Sequence, residues 1–188
     1  MKRKAGVTLV TGGTGLYGSA IREYVEGASD ENVADWVFLS SSDGDLRDRK
    51  ATEAIFERVK PTRVIHLAAL VGGLFANMSK KVEFYRENML MNDNVMECCR
   101  IYKVEKLVSC LSTCIFPDKT TYPIDETMVH AGPPHASNEG YASAERRLLP
   151  RFGRPRRPAV VATRDIRREG ALSGASRRRR RRPGTPSG

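Results

Sequence analysis

Apolar positions along the chain alternate between short β-branched runs and helical stripes. Gly6-Val7-Thr8-Leu9-Val10-Thr11 is a strand-like run that ends in glycines. Leu16 to Val25 has helical spacing, with Tyr17, Ile21, Tyr24 and Val25 near one face. Trp36-Val37-Phe38-Leu39 reads as a second buried strand. Lys50 to Val59 is amphipathic, with Ala51, Ala54, Ile55 and Val59 in step, and Pro61 ends it. Val64-Ile65-His66-Leu67-Ala68 is a third strand, Glu83 to Tyr102 a long helix, and Leu107-Val108-Ser109-Cys110-Leu111 a fourth strand. Asp118 to Asn138 is rich in Thr, Pro, His and Asn and reads as a long loop over the carboxyl edge of the sheet, a length usually reserved for function. A last helix is predicted from about Asn138 to Leu149, where Pro150 stops it.

Short strands alternating with helices predict an α/β fold: a Rossmann-like, doubly wound parallel sheet covered on both faces. It is incomplete, with about four strands, in the expected order 3-2-1-4. The fourth strand is then an apolar, uncovered edge. An apolar fraction of 40% suffices for one core. From Arg146 the composition shifts to Arg, Pro, Gly, Ala and Ser, and arginines fill every position from Arg177 to Arg182. The expected boundaries are therefore a folded domain over 1–149 and a low-complexity tail over 150–188. Within that tail only Pro158-Ala159-Val160-Val161-Ala162-Thr163 reads as a strand, and the rest is expected to be disordered.

Charge changes the picture only in the tail. The whole chain carries +10, but 15 of its 32 Lys and Arg and only two of its 22 acidic residues lie beyond residue 145. The folded part is slightly acidic and carries no signature of nucleic-acid binding. The arginine run would hold phosphate in a salt-dependent way without specificity, so nucleic acid is not an expected partner. No apolar run approaches the roughly 18 residues that span a bilayer, so no membrane association is expected. The apolar stretch after the basic lead Met1–Lys4 is too short for a signal-peptide core, which makes a cytoplasmic location the expectation. Cys98, Cys99, Cys110 and Cys114 then stay reduced. The Cys110–Cys114 spacing has no second ligand pair to match it, so no metal is expected.

The chemistry starts at Gly12-Gly13-Thr14-Gly15-Leu16-Tyr17-Gly18, a GxxGxxG spacing directly after a strand and opening a helix. Glycine serves where a turn needs positive φ, where backbone must approach a diphosphate, and where helix packs closely on strand. The helix amino terminus then offers free N–H groups to the phosphates. This pattern predicts a dinucleotide. An acid ending the second strand would hold a ribose 2′-hydroxyl, whereas this chain has Ser40-Ser41-Ser42 and its first acid at Asp43. Hydroxyls there favour NADP over NAD.

Further motifs are more specific. They include His66-Leu67-Ala68-Ala69 followed by Val71-Gly72-Gly73. The stretch Ser109-Cys110-Leu111-Ser112-Thr113-Cys114-Ile115-Phe116-Pro117 and the loop Asp118 to Thr127 with Gly132-Pro133-Pro134-His135 add to them. Together these resemble GDP-L-fucose synthases, members of the extended short-chain dehydrogenase/reductase family. The resemblance covers about three quarters of this chain and about the first half of a full-length member. It implies an NADPH-dependent epimerase-reductase that makes GDP-L-fucose from GDP-4-keto-6-deoxy-D-mannose and works as a homodimer. It assigns cofactor contacts to Gly12, Gly13, Thr14, Gly15, Leu16 and Gly18, to Ser40 and Ser41, to Asp45 and Leu46 at the adenine, and to Leu67, Ala68 and Ala69. It makes Ser112 the residue that binds the substrate carbonyl, Tyr141 the proton donor, and Cys114 an acid/base in epimerisation.

Two departures stand out. Where the family has Tyr-x-x-x-Lys, this chain reads Tyr141-Ala142-Ser143-Ala144-Glu145, and Arg146 lies about 100° further round the helix. A carboxylate there disfavours tyrosinate. The family's epimerisation histidine falls beyond the matched residues, while His66, His130 and His135 all precede Tyr141. The expectation is a chain that keeps cofactor affinity with little or no turnover. The alternative is a non-catalytic NADP-binding unit that pairs with a full-length enzyme.

Overall fold

The computed structural model describes residues 6–28 and 35–149, and the backbone of 161–165. The elements run β1 (Thr8–Thr11), α1 (Leu16–Gly27), β2 (Trp36–Phe38), α2 (Arg49–Val59) and β3 (Arg63–His66). They continue with α3 (Leu74–Ser79), α4 (Lys81–Ile101), β4 (Lys106–Cys110), α5 (Glu139–Arg146) and β5 (Val161–Asp165). Short 3₁₀ turns punctuate the loop between β4 and α5 at Thr113–Ile115, Glu126–His130 and Ala136–Asn138. The alternation read from the apolar pattern is present, with α3 added.

The strand order is β2-β1-β3-β4-β5, and the first four strands are parallel. This corrects the expected order 3-2-1-4. That order needs a strand outside β2, but the chain between Phe38 and Arg49 forms turns only. α2 therefore carries the chain back across β1, and β3 pairs with the free side of β1, Val10 opposite Ile65. Because the winding direction reverses there, right-handed crossovers put α1 on one face and α2 and α4 on the other. The reversal also opens a crevice between the carboxyl ends of β1 and β3, the place where doubly wound sheets bind ligands.

The expected uncovered edge at β4 is covered. β5 pairs with it antiparallel, Lys106 opposite Asp165 and Cys110 opposite Val161. Five backbone residues of the tail are thus a strand rather than disordered, offset by a few residues from the predicted run. The arginines at 177–182 lie outside the described residues.

The core sits between the sheet and the α2/α4 layer. Leu9, Phe56, Val64, Val95, Val104 and Leu107 are buried almost completely, and Cys98 and Cys99 join them as small apolar groups. Burying each large side chain contributes about 1.5–3 kcal/mol. α2 is held at both ends: Asp48 accepts the Ala51 N–H at 2.8 Å, and Lys60 closes the helix in a left-handed conformation (φ 49°). On the opposite face α1 buries only Gly18. Of the four residues that spacing puts near one face, Tyr17 and Tyr24 are 70% and 79% exposed, while Ile21 and Val25 are half-buried.

Candidate active site

The crevice floor is built by close backbone approach. Gly12 has φ +67°, and a Cβ on it would lie 2.9 Å from the Ala68 nitrogen. A Cβ on Gly18 would lie 2.4 Å from the Gly12 carbonyl oxygen. These glycines bring the first turn of α1 against β1 and β3, as the motif predicts. Gly15 caps α1 without a side-chain acceptor, and no acid lies in the first helical turn. Thr14, Gly15 and Leu16 are exposed. The first N–H groups of α1 therefore face outward beside the crevice, an arrangement that fits a diphosphate.

At the end of β2 the serines are already engaged. Ser40 donates from both its N–H and its hydroxyl to Asp43 Oδ2 at 2.8 Å, and takes the Ser42 hydroxyl at 2.7 Å. These bonds hold Asp43 below the usual carboxylate range. Ser41 beside them is exposed. Asp45 is bound by Arg47, whose guanidinium reaches it at 2.7 Å and Glu87 at 3.1 Å. Leu46 is buried.

A buried hydrogen-bond chain fixes the other side. Thr11 Oγ1 accepts the N–H groups of Leu67 and Ala68, both at 3.2 Å. Its own proton then goes to His66 Nδ1 at 2.7 Å, which leaves the proton of the neutral ring on Nε2, donated to Asn92 Oδ1 at 3.0 Å. Burial keeps His66 below its ordinary range, so the ring stays neutral. His66 thus holds the β3 turn rather than serving as a proton donor.

A cavity of about 490 Å³ opens above this floor. It brings together Leu67, Ala68, Ala69, Ser112 and Tyr141 of the predicted site, and adds Tyr17, Asn88, Asn92, Cys110 and Glu145. Cys114 sits just behind, its N–H donating to Ser112 Oγ at 3.3 Å. Burial pushes the Cys114 thiol up, opposed by the Ser112 hydroxyl and reinforced by Glu145. Of the other predicted cofactor contacts, Gly12, Gly13, Thr14, Gly15, Leu16, Gly18, Ser40, Ser41, Asp45 and Leu46 are not part of the cavity walls. His130 and His135 are exposed in the loop.

Glu145 dominates the electrostatics. It is only 4% exposed, and its carboxylate accepts the Ser112 N–H at 2.8 Å and the Tyr141 hydroxyl at 2.5 Å. Burial pushes its pKa up to about 7, against the two hydrogen bonds. Burial and then the Glu145 charge raise the Tyr141 hydroxyl far above its ordinary range. Arg146 supplies no compensation, since its Nε donates to the Ile115 carbonyl at 2.6 Å. The contact between Glu145 and the Ser112 backbone was not legible in sequence, because it depends on how far α5 leans toward the end of β4.

The parallel sheet, the glycine turn and the crevice at the β1/β3 reversal define a nucleotide-binding α/β protein of the dehydrogenase type. Residues 8–148 match the NAD dependent epimerase/dehydratase family, and the chain belongs to it. It is 64% identical over 140 residues to a GDP-L-fucose synthase of Dictyostelium discoideum, covering 74% of this chain and 43% of that one. It is 58% identical over 138 residues to a probable GDP-L-fucose synthase of Drosophila melanogaster, covering 73% and 43%. Among solved structures, a GDP-L-fucose synthetase from Naegleria fowleri bound to NADP superposes with a TM-score of 0.69 at 51% identity, covering 76% of this chain and 42% of that one. The chain thus spans about 43% of the length of these curated relatives. No helix among the described residues is long and apolar enough to cross a membrane.

Proposed function

We propose that this chain is the cofactor-binding half of a GDP-L-fucose synthase-type epimerase-reductase, and that it binds NADPH with little or no turnover. The observation that carries this reading is the glycine cradle under the uncapped start of α1, where Gly12 lies against Ala68, a residue lining the cavity that holds Ser112 and Tyr141. The diphosphate rests at Gly12–Leu16, the adenosine lies toward Ser40, Ser41, Asp45 and Leu46, and the nicotinamide end lies over Leu67–Ala69. Bound NADPH would supply a hydride to the C4 ketone of GDP-4-keto-6-deoxy-D-mannose. Ser112 keeps its hydroxyl proton for the developing alkoxide. Tyr141, the expected proton donor, instead directs its proton at Glu145 and is held as a weak acid. Cys114, a half-buried thiol whose pKa is raised by burial, is a poor base at neutral pH. Limited turnover follows from these three side chains.

The preference for NADP is supported by the serines that end β2 and by the NADP in the Naegleria relative. One charge-assisted hydrogen bond to the 2′-phosphate makes NADPH bind about tenfold tighter than NADH. Titration of the intrinsic fluorescence of each reduced nucleotide measures this. Equal affinities, or tighter NADH, would contradict the assignment, with the Asp43 carboxylate beside Ser40 as the cause.

A second reading is that the chain pairs with a full-length enzyme as a non-catalytic unit. Val82 and Leu90 stand exposed on α4, and Leu74, Phe75 and Met78 on α3. Co-purification with tagged full-length enzyme is its expected consequence, and separate elution at micromolar concentration would dispose of it.

A further inference from the structure

α4 is buried along one side, and three asparagines point from its middle into the protein. Asn88, Asn92 and Asn94 are 1%, 7% and 7% exposed. Asparagine is a weak helix former, and each buried amide costs about 1–3 kcal/mol unless its partners satisfy it. Each has a partner at the carboxyl edge of the sheet, and the partners differ: the turn after β2 for Asn94, the loop after β3 for Asn88, and the His66 ring at the end of β3 for Asn92. At about 100° per residue, positions 88 and 92 share a face, whereas 94 lies about 160° away from 92.

Asn94 Nδ2 donates to the carbonyls of Leu46 and Arg47, both at 2.9 Å. The Leu46 carbonyl also takes the Thr52 hydroxyl at 3.1 Å. The turn after β2 is thereby tied to α4. On the other face, Asn88 Oδ1 accepts the Leu70 N–H at 2.8 Å while its Nδ2 donates to the Leu70 carbonyl at 2.9 Å. Both backbone groups of one residue are held by one side chain. Asn92 takes the Nε2 proton of His66, whose Nδ1 fixes Thr11 and, through it, the Leu67 and Ala68 N–H groups.

We propose that the three asparagines are positioning residues that set the two halves of the dinucleotide crevice separately. Asn94 places the adenosine half, and Asn88 with Asn92 places the nicotinamide half. The proposal rests on the reading of the crevice as an NADPH site. It treats α4 as a rigid bar, buried along one side, from which two loops are hung independently. The loops themselves touch the ligand; the asparagines act through them.

The test uses the full 188-residue chain, the variants Asn94→Leu and Asn92→Leu, and two probes. NADPH spans the crevice, whereas adenosine 2′,5′-bisphosphate reaches only its adenosine half. Asn94→Leu is expected to weaken both probes by the same factor, about tenfold or more. Asn92→Leu is expected to weaken NADPH similarly and leave the bisphosphate unchanged. A loss of general stability would move both probes together in both variants, and that result would overturn the proposal. So would unchanged NADPH affinity in either variant. If a leucine variant does not fold, as shown by circular dichroism, Asn94→Asp, which removes the Nδ2 donor, and Asn92→Ala, which removes the Oδ1 acceptor, must show the same split. Failure of the unsubstituted chain to bind NADPH removes the underlying reading, and this proposal with it; normal parental binding without the split removes this proposal alone.

Discussion

Replacing Glu145 with glutamine is expected to stabilise the chain at pH 8 and to leave it unchanged at pH 4. Glu145 ionises at about 7 in the folded chain, against an ordinary 4.5. A carboxyl whose pKa is raised by folding contributes stability that is present below about 4.5 and is lost as pH rises through 7. At about 1.4 kcal/mol per tenfold change in proton affinity, the cost of ionising it within the fold is on the order of 3 kcal/mol. Glutamine keeps the size, accepts the Ser112 N–H through its carbonyl, and can donate its amide to the Tyr141 oxygen. Other groups also titrate. Asp43, Asp45 and Asp125 are held below their ordinary values and act in more acidic solution. His66, buried and neutral, works in the opposite direction and loses stability as pH falls below about 6.5. Subtracting the two unfolding curves between pH 4 and 8 isolates Glu145. A difference that stays flat across that window would show that the carboxylate is solvated, contrary to its burial between Ser112 and Tyr141.

The other large effect belongs to Gly18. A valine there must place Cβ about where the Gly12 carbonyl and Gly13 Cα now stand, at 2.4 and 2.6 Å, and both are backbone atoms that cannot swing aside. α1 has to move off β1, which costs about 1–3 kcal/mol. The shift also takes the helix amino terminus away from the diphosphate. NADPH affinity should fall about 100-fold or more, because the loss combines several charge-assisted N–H contacts. Gly27→Ala is the control on the same helix, where an added Cβ meets nothing within 4 Å. It should leave binding intact and raise stability by about 0.5–1 kcal/mol. Thermal unfolding and NADPH fluorescence on both variants separate the two outcomes. Retained binding in Gly18→Val would mean that α1 does not hold the phosphates.

The order of strands and helices was legible because the core on the α2/α4 side is nearly continuous: Leu9, Ile55, Val64, Val95 and Leu107 each mark their element by burial. The glycine turn was legible because only glycine fits at Gly12 and Gly18. The neighbour relations were not. Whether β3 lies outside β2 or beside β1 depends on the turns between Phe38 and Arg49, and a run of Ser, Asp and Gly carries no signal for direction. The run 158–163 reads as a strand in the sequence, but its pairing with β4 was not legible, because composition carries no signal for the edge it joins. Periodicity gives α1 an apolar face like the other helices, whereas Tyr17 and Tyr24 on it stay largely exposed. The asparagines of α4 interrupt its apolar stripe, and their partners, the Leu70, Leu46 and Arg47 backbone and the His66 ring, are distant in sequence, which no local pattern reveals. The charge reversal at Glu145 was visible, but its second contact, with the Ser112 N–H, emerged only from the packing of α5.

The most direct measurement is a titration of the purified chain with NADPH, followed by addition of GDP-4-keto-6-deoxy-D-mannose to the same sample and observation of the nicotinamide absorbance. The account predicts saturable binding and no consumption of NADPH beyond the rate without protein. Steady oxidation on adding the sugar nucleotide would contradict it, by showing that Tyr141 protonates substrate despite Glu145. Absence of any binding would show that the cradle at Gly12–Gly18 does not form a cofactor site in this chain.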